Sequence, residues 1–177
     1  MKLKEIKKKV KIPENVKLDT EGTMIKISGQ KGQAERRILD KGVIISKEGD
    51  FIIIKSVNVN KNSKRAVGTI TSLIKNMIRG VSEGYEYKLK ICSSHFPMNV
   101  SLSGKELLIK NFLGEKNPRK CRIRGNVEIQ LNKDEITLKG ISNEAVGQAA
   151  ADIEQTTRIS NKDRRIFQDG IYITSKP

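Results

Sequence analysis

The feature that most constrains this chain is that it contains one pattern twice. Ile12-Pro13-Glu14-Asn15-Val16-Lys17-Leu18 lies over Phe96-Pro97-Met98-Asn99-Val100-Ser101-Leu102, with Pro, Asn, Val and Leu coinciding at an offset of 84. The same offset pairs Ile25-Lys26 with Ile109-Lys110, Val43 and Ile45 with Val127 and Ile129, and Asp50, Ile52 and Lys55 with Asp134, Ile136 and Lys139. Beyond Lys55 the offset slips to 79, where Ala66-Val67-Gly68 meets Ala145-Val146-Gly147, so the first copy carries five extra residues within Ser56 to Arg65. A repeat this long is a small domain rather than one unit of a solenoid. Two tandem domains are expected, 1–82 and 83–177, parted where the two glycines of Gly80-Val81-Ser82-Glu83-Gly84 break a helix.

Each copy reads as strands followed by one helix. Residues 43–47 and 51–55 flank Glu48-Gly49-Asp50, and residues 127–131 and 135–139 flank Asn132-Lys133-Asp134. Both are hairpin patterns whose alternation buries one face of a sheet and leaves the other wet. Val67, Ile70, Ile74, Met77 and Ile78 recur at helical spacing, as do Val146, Ala149, Ala150 and Ile153. Asn62 or Ser63, and Ser142 or Asn143, are the candidate N-caps. Residues 85–91 predict a strand that opens the second domain, and 171–173 one that closes it. The fold class is α+β: two similar domains in tandem, each an antiparallel-rich sheet with one helix packed on one face.

Aromatic residues are 4% of the chain and Trp is absent, so the cores must be built from Ile, Val, Leu and Ala. Cys92 and Cys121 alone make no disulfide framework, which suits a reducing, cytoplasmic location. No secretory signal opens the chain, no stretch approaches a membrane span and no lipidation motif stands beside the basic N-terminus, so no membrane partner is expected, although composition alone leaves a polybasic surface anchor open.

Catalysis has little to build on. His95 is the only histidine, and Cys92-Ser93-Ser94-His95 has no third orienting group nearby in sequence. Asp134-Glu135 belongs to a hairpin turn, and Asp152 and Glu154 point to different sides of a helix. There is no phosphate-cradling glycine loop and no dinucleotide fingerprint. The expectation is no catalytic residue, no metal site, no cofactor and no enzyme.

Charge is the stronger signal. The net charge is +15, which calls for a polyanionic partner. Residues 1–90 hold 21 basic against 10 acidic residues, and the remainder 14 against 10. In the second half Lys116, Arg119, Lys120, Arg122 and Arg124 fall within nine residues uninterrupted by an acid, in a run that Asn117-Pro118 opens as a loop. Arg158, Lys162, Arg164 and Arg165 form a second cluster after the helix. Arginine forks match phosphate in bidentate fashion. The first half offers Lys61, Lys64 and Arg65, and a lysine-rich N-terminus whose first four residues are expected to fray. With so few aromatics for base stacking, the expected mode is recognition of the shape and phosphates of folded, largely double-stranded RNA. The alternative that charge allows is a free-standing nucleic-acid-binding or compacting protein.

Several stretches resemble the family of the sixth protein of the large ribosomal subunit, in its archaeal–eukaryotic form. They are Val67-Gly68-Thr69, residues 76–81 and 84–90, Ser94-His95-Phe96-Pro97, residues 111–116, Pro118-Arg119-Lys120, Val146-Gly147-Gln148, Ile153-Glu154-Gln155, Asp163-Arg164-Arg165 and residues 167–173. The resemblance implies a non-enzymatic constituent of the large subunit, with two similar domains, that binds ribosomal RNA near the stalk base and the sarcin–ricin loop. It implies neighbouring ribosomal proteins, translation factors nearby, and no homo-oligomer. It places most RNA contacts on the second domain and tail: Lys116, Pro118, Arg119 and Lys120, and the segment from Arg164 to Tyr172 with Gln168, Asp169 and Gly170. Lys176 is the tail's remaining cation. Bacterial members carry a longer Lys/Gly-rich tail than the Ser175-Lys176-Pro177 seen here.

Overall fold

The computed structural model describes residues 5–21, 24–38, 42–56 and 60–177. The expected frayed residues Met1 to Lys4 and part of the five-residue insertion lie outside them. The chain divides into two compact units, Met1–Gly84 and Tyr85–Pro177.

The first unit holds β1 (Ile6–Lys11), β2 (Lys17–Glu21), β3 (Met24–Gly29), β4 (Gly32–Arg37), β5 (Ile44–Glu48), β6 (Phe51–Ser56) and α1 (Lys61–Ser82). Its strands make two antiparallel three-stranded sheets, ordered β1-β6-β5 and β2-β3-β4. Helix α1 packs on β1, β3, β4 and β6, burying Val67, Ile70, Ile74, Ile78 and Val81. Each fully buried aliphatic side chain of this kind contributes roughly 1.5–3 kcal/mol. At one point helix and sheet come close enough to require glycine: a Cβ on Gly29 would stand 2.7 Å from the Val81 carbonyl oxygen.

Helix α1 starts earlier than its candidate N-caps suggested. The cap is Asn60, whose side chain accepts from the Ser63 amide at 2.7 Å, while Ser63 Oγ accepts from the Asn60 amide at 2.9 Å. This reciprocal box satisfies two donors at once, which neither Asn62 nor Ser63 as cap would do. Met77, expected in the core, is only half-buried.

The second unit holds β7 (Tyr85–Cys92), β8 (Asn99–Ser103), β9 (Glu106–Lys110), a 3-10 turn (Phe112–Gly114), β10 (Arg119–Arg122), β11 (Glu128–Leu131), β12 (Glu135–Gly140), α2 (Asn143–Thr156) and β13 (Gly170–Ser175). Its sheets are β10-β9-β8 and the four-stranded β11-β12-β7-β13, antiparallel throughout. Ser142 is the N-cap of α2, accepting from the Ala145 amide at 3.3 Å. A single core joins Leu107, Ile109 and Phe112 to Leu89, Ile136 and Leu138 and to Val146, Ala149 and Ile153 of the helix.

Two differences from the sequence reading stand out. Each unit has a second small sheet, so the helix covers two sheets rather than one. The wet face of each main sheet is also closed at its centre, where Ile53 is 1% and Thr137 8% exposed. Both sit on an inner strand, between Lys9 and Ser46 and between Lys88 and Gln130. Lys9 beside Ile53, and Lys88 and Gln130 beside Thr137, are long enough to screen such a position with their aliphatic stems.

Candidate RNA-binding surface

The first basic cluster is not a loop run beyond Pro118. From Arg119 it becomes β10, an edge strand paired only to β9. Strand alternation sorts its side chains: Cys121 and Ile123 are buried at 4% each, while Lys120, Arg122 and Arg124 are exposed. The register sets Lys120 opposite Leu108 and Arg122 opposite Glu106. Lys110 of β9 shares that face and is exposed, a cation the composition of the cluster did not point to. Burial pushes the Cys121 thiol up from its ordinary pKa, despite a bond with Thr156.

Arg119 behaves differently from its neighbours. Its Nε donates to Glu115 Oε2 at 2.9 Å and its Nη2 to Glu115 Oε1 at 2.6 Å. Its Nη1 donates to the carbonyls of Thr156 at 2.8 Å and Arg158 at 3.1 Å. The guanidinium lies 4.3 Å from the centre of the Phe112 ring. Thr156 and Arg158 are at the end of α2, where the last carbonyls lack helical partners and attract positive charge. Arg119 is therefore a clamp whose fork is spent inside the protein. The bond from Arg119 holds Glu115 below the usual carboxylate range against the opposing effect of burial.

The clamp fixes where the two basic segments join. It fastens the start of β10 to the end of α2, from which the loop carrying Arg158, Lys162, Arg164 and Arg165 departs, while Lys120 and Arg122 face the other side of the strand. Arg158, Arg164 and Tyr172 converge on a cleft of about 420 Å³ that Glu154, Gln155, Thr157 and Ile159 complete. Glu154 Oε1 accepts from the Ile173 amide at 3.2 Å, which ties this acid to β13. Arg165 is pinned to Asp163 by three hydrogen bonds of 2.9–3.1 Å, and Gln168 donates to the Arg165 carbonyl at 3.2 Å. These bonds lower the Asp163 pKa and raise that of Arg165.

The remaining expected contacts divide by burial. Lys116, Pro118, Lys162, Gln168 and Lys176 are exposed. Asp169 is 2% exposed and Gly170 is also buried. Asp169 cannot offer its carboxylate outward, because Oδ1 accepts from the amides of Ser94 and His95 and Oδ2 meets His95 Nδ1 at 2.5 Å. Burial raises its pKa, but the bonds from His95 and Ser94 outweigh that and leave it lowered. A Cβ on Gly170 would stand 3.1 Å from the Tyr172 ring, so its place is to let that ring lie close. In the first unit Lys61, Lys64 and Arg65 are exposed on the opening turns of α1, and Arg65 donates to Asn62 Oδ1 at 2.5 Å. A cleft beside them also takes in Arg36 and Arg37 of β4, which the sequence reading passed over.

The orienting carboxylate that Cys92-Ser93-Ser94-His95 lacked in sequence is Asp169. Among the described residues, however, no hydrogen bond joins Cys92 or a serine hydroxyl to His95, whose ring stacks on Phe167 at 4.8 Å. No group of three metal-ligating side chains occurs among the described residues, and no helix there is long and apolar enough to cross a membrane.

The sequence profile described as Ribosomal protein L6 matches residues 12–84 and 96–170, one segment in each unit. The chain belongs to the ribosomal protein L6 family. Similar L6-family proteins include the large ribosomal subunit protein uL6 of Haloarcula marismortui, 45% identical over 95% of this chain and 94% of its own length. That of Methanothrix thermoacetophila is 42% identical over 98% and 99%, and that of Methanococcus vannielii 42% identical over 97% and 94%. The L6 family consists of ribosomal structural proteins and not of enzymes.

Proposed function

We propose that this chain is a structural component of the large ribosomal subunit in the cytoplasm. Its second unit binds ribosomal RNA near the stalk base and sarcin–ricin loop and stabilises RNA tertiary structure there. The relatives described as large-subunit protein uL6 support a place in that subunit, and the RNA region rests on the family resemblance. The observation that carries the mode of binding is the exposed cation face of β10, whose strand the Arg119 clamp holds to the end of α2. Lys120 and Arg122 stand about 6.6 Å apart along one strand face, and Arg124 is exposed just beyond the strand. The cleft of Arg158, Arg164 and Tyr172 offers a second group of cations. Lysine and arginine replace condensed counterions and let phosphates approach. Lys61, Lys64 and Arg65 are the first unit's contribution, and translation factors are near neighbours.

Chemical footprinting of ribosomal RNA in large subunits assembled with and without the protein tests this. Protections at the stalk base and sarcin–ricin loop, lost together with Lys120→Ala/Arg122→Ala, are expected. Protections confined to another region would overturn the address. Absence of the protein from salt-washed subunits would overturn the assignment itself.

A further inference from the structure

The internal repeat supplies a comparison between equivalent faces. The outer face of the sheet β1-β6-β5 carries three cross-strand rows, fixed by register: Lys7–Lys55–Ile44, Lys9–Ile53–Ser46 and Lys11–Phe51–Glu48. Four lysines stand there against one glutamate, and none of the four has an ion pair among the described residues. Ile44 is 50% exposed and Phe51 43%.

In the second unit the same three rows read Glu86–Lys139–Glu128, Lys88–Thr137–Gln130 and, on β7 and β12, Lys90–Glu135. Ile44 and Phe51 correspond, at the offset of 84, to Glu128 and Glu135. Where the first copy sets Lys7 against Lys55, the second sets Glu86 against Lys139 at 3.9 Å. A second Glu86 contact, to Lys88 at 3.6 Å, extends the pairing. The second unit's face is thus neutralised by its own charges. The first unit's face keeps unpaired positive charge around exposed apolar groups.

Like charges directly across strands destabilise a sheet. Lysines on an edge strand can deter aggregation, but exposed Ile44 and Phe51 in the same patch would defeat that purpose. We propose that the outer face of β1-β6-β5 docks an acidic segment of a neighbouring protein, with apolar side chains on Ile44 and Phe51 and carboxylates on Lys7, Lys9, Lys11 and Lys55. Protein fits this face better than RNA. Its cations are all lysines, point charges without the phosphate-matching fork, and its centre is aliphatic and aromatic rather than polar.

The inference rests on the ribosomal reading above, because the partner is a protein neighbour in the assembled subunit. Carbodiimide coupling of intact large subunits tests it, since that reagent joins a lysine amine only to a carboxylate in salt-bridge contact. Recovery of the protein in the subunit fraction reports the ribosomal reading independently of any cross-link. Amide links from Lys7, Lys9, Lys11 or Lys55 to a single acidic, apolar-containing segment of another protein are expected. Lys9→Glu, an exposed substitution, lowers their yield about ten-fold through like-charge repulsion. Ile44→Ser/Phe51→Ser lowers it also, with the protein's own unfolding transition unchanged. RNA adducts on these lysines, acetylation as fast as in the free protein, or no carboxylate links at all would each overturn the proposal.

Discussion

His95 Nδ1 lies 2.5 Å from Asp169 Oδ2, although the two residues are 74 positions apart. The contact ties the connection between β7 and β8 to the start of β13. The backbone amides of Ser94 and His95 converge on the other carboxylate oxygen. Removing a buried acceptor leaves several donors without a partner. Asp169→Ala is expected to destabilise the second unit by about 2–3 kcal/mol, as the loss of hydrogen bonds to a charged group does. Chemical denaturation measures it.

The pH dependence follows from the sign of the shift. Asp169 has a pKa lowered on folding, so its contribution is complete above the unfolded carboxylate value of about 3.9 and disappears as pH falls through the folded value. Denaturation midpoints at pH 7, 4 and 3 should show this component in the parent protein. Asp169→Asn should lack it. An identical acid dependence in the two proteins would show that the carboxylate charge is not what holds the loop.

The two cysteines should differ in reactivity. Cys121 is buried under the cation row of β10 and its thiol is pushed up by burial, while Cys92 is half-buried. The thiolate is the reactive form. Iodoacetamide labelling at pH 8, read by mass spectrometry, should modify Cys92 first and Cys121 only on unfolding. Equal rates in the native protein would contradict the inward side of β10, and with it the outward placement of Lys120 and Arg122.

Much of the fold was legible because the chain repeats itself. The hairpins around Gly49 and Lys133, the long helices and the strand at Tyr85 follow from apolar periodicity. What escaped were the short strands β2–β4 and β8–β10. Gly32-Gln33-Ala34-Glu35-Arg36-Arg37 has no run of β-branched residues, and its strand exists because β3 offers a ladder. At the candidate site, sequence marked the cations but not their duties. Arg119 and Arg122 look alike in a list of charges. Only the partners Glu115, Thr156 and Arg158 make one of them a clamp.

The cap of α1 offers a test of local structure beside Lys61 and Lys64. Asn60 and Ser63 satisfy each other's backbone amides. Asn60→Ala should cost about 1 kcal/mol. Fraying of the first turn should appear as faster amide hydrogen exchange at Ser63 and Lys64. Asn62→Ala, which changes no cap, should leave those amides protected.

Arg119 and Arg122 should separate structure from binding. Arg119 is 26% exposed and holds four hydrogen bonds and a ring contact, so Arg119→Ala strands Glu115 and uncaps α2. A loss of about 2–4 kcal/mol is expected, since breaking such a partly buried network exposes all its partners. Arg119→Lys should recover little, because an ammonium cannot serve the carboxylate and both carbonyls in that fork geometry. Arg122→Ala, on the open face, should change stability by no more than about 0.5 kcal/mol. It should nonetheless weaken binding to a ribosomal RNA fragment and reduce the slope of log affinity against log salt by about 0.9, one phosphate contact. Denaturation and salt-titrated binding of the same preparations measure both quantities. If Arg122→Ala leaves the slope unchanged, the β10 face is not on phosphate. If Arg119→Ala leaves stability unchanged, the start of β10 is not held to the end of α2 by that side chain.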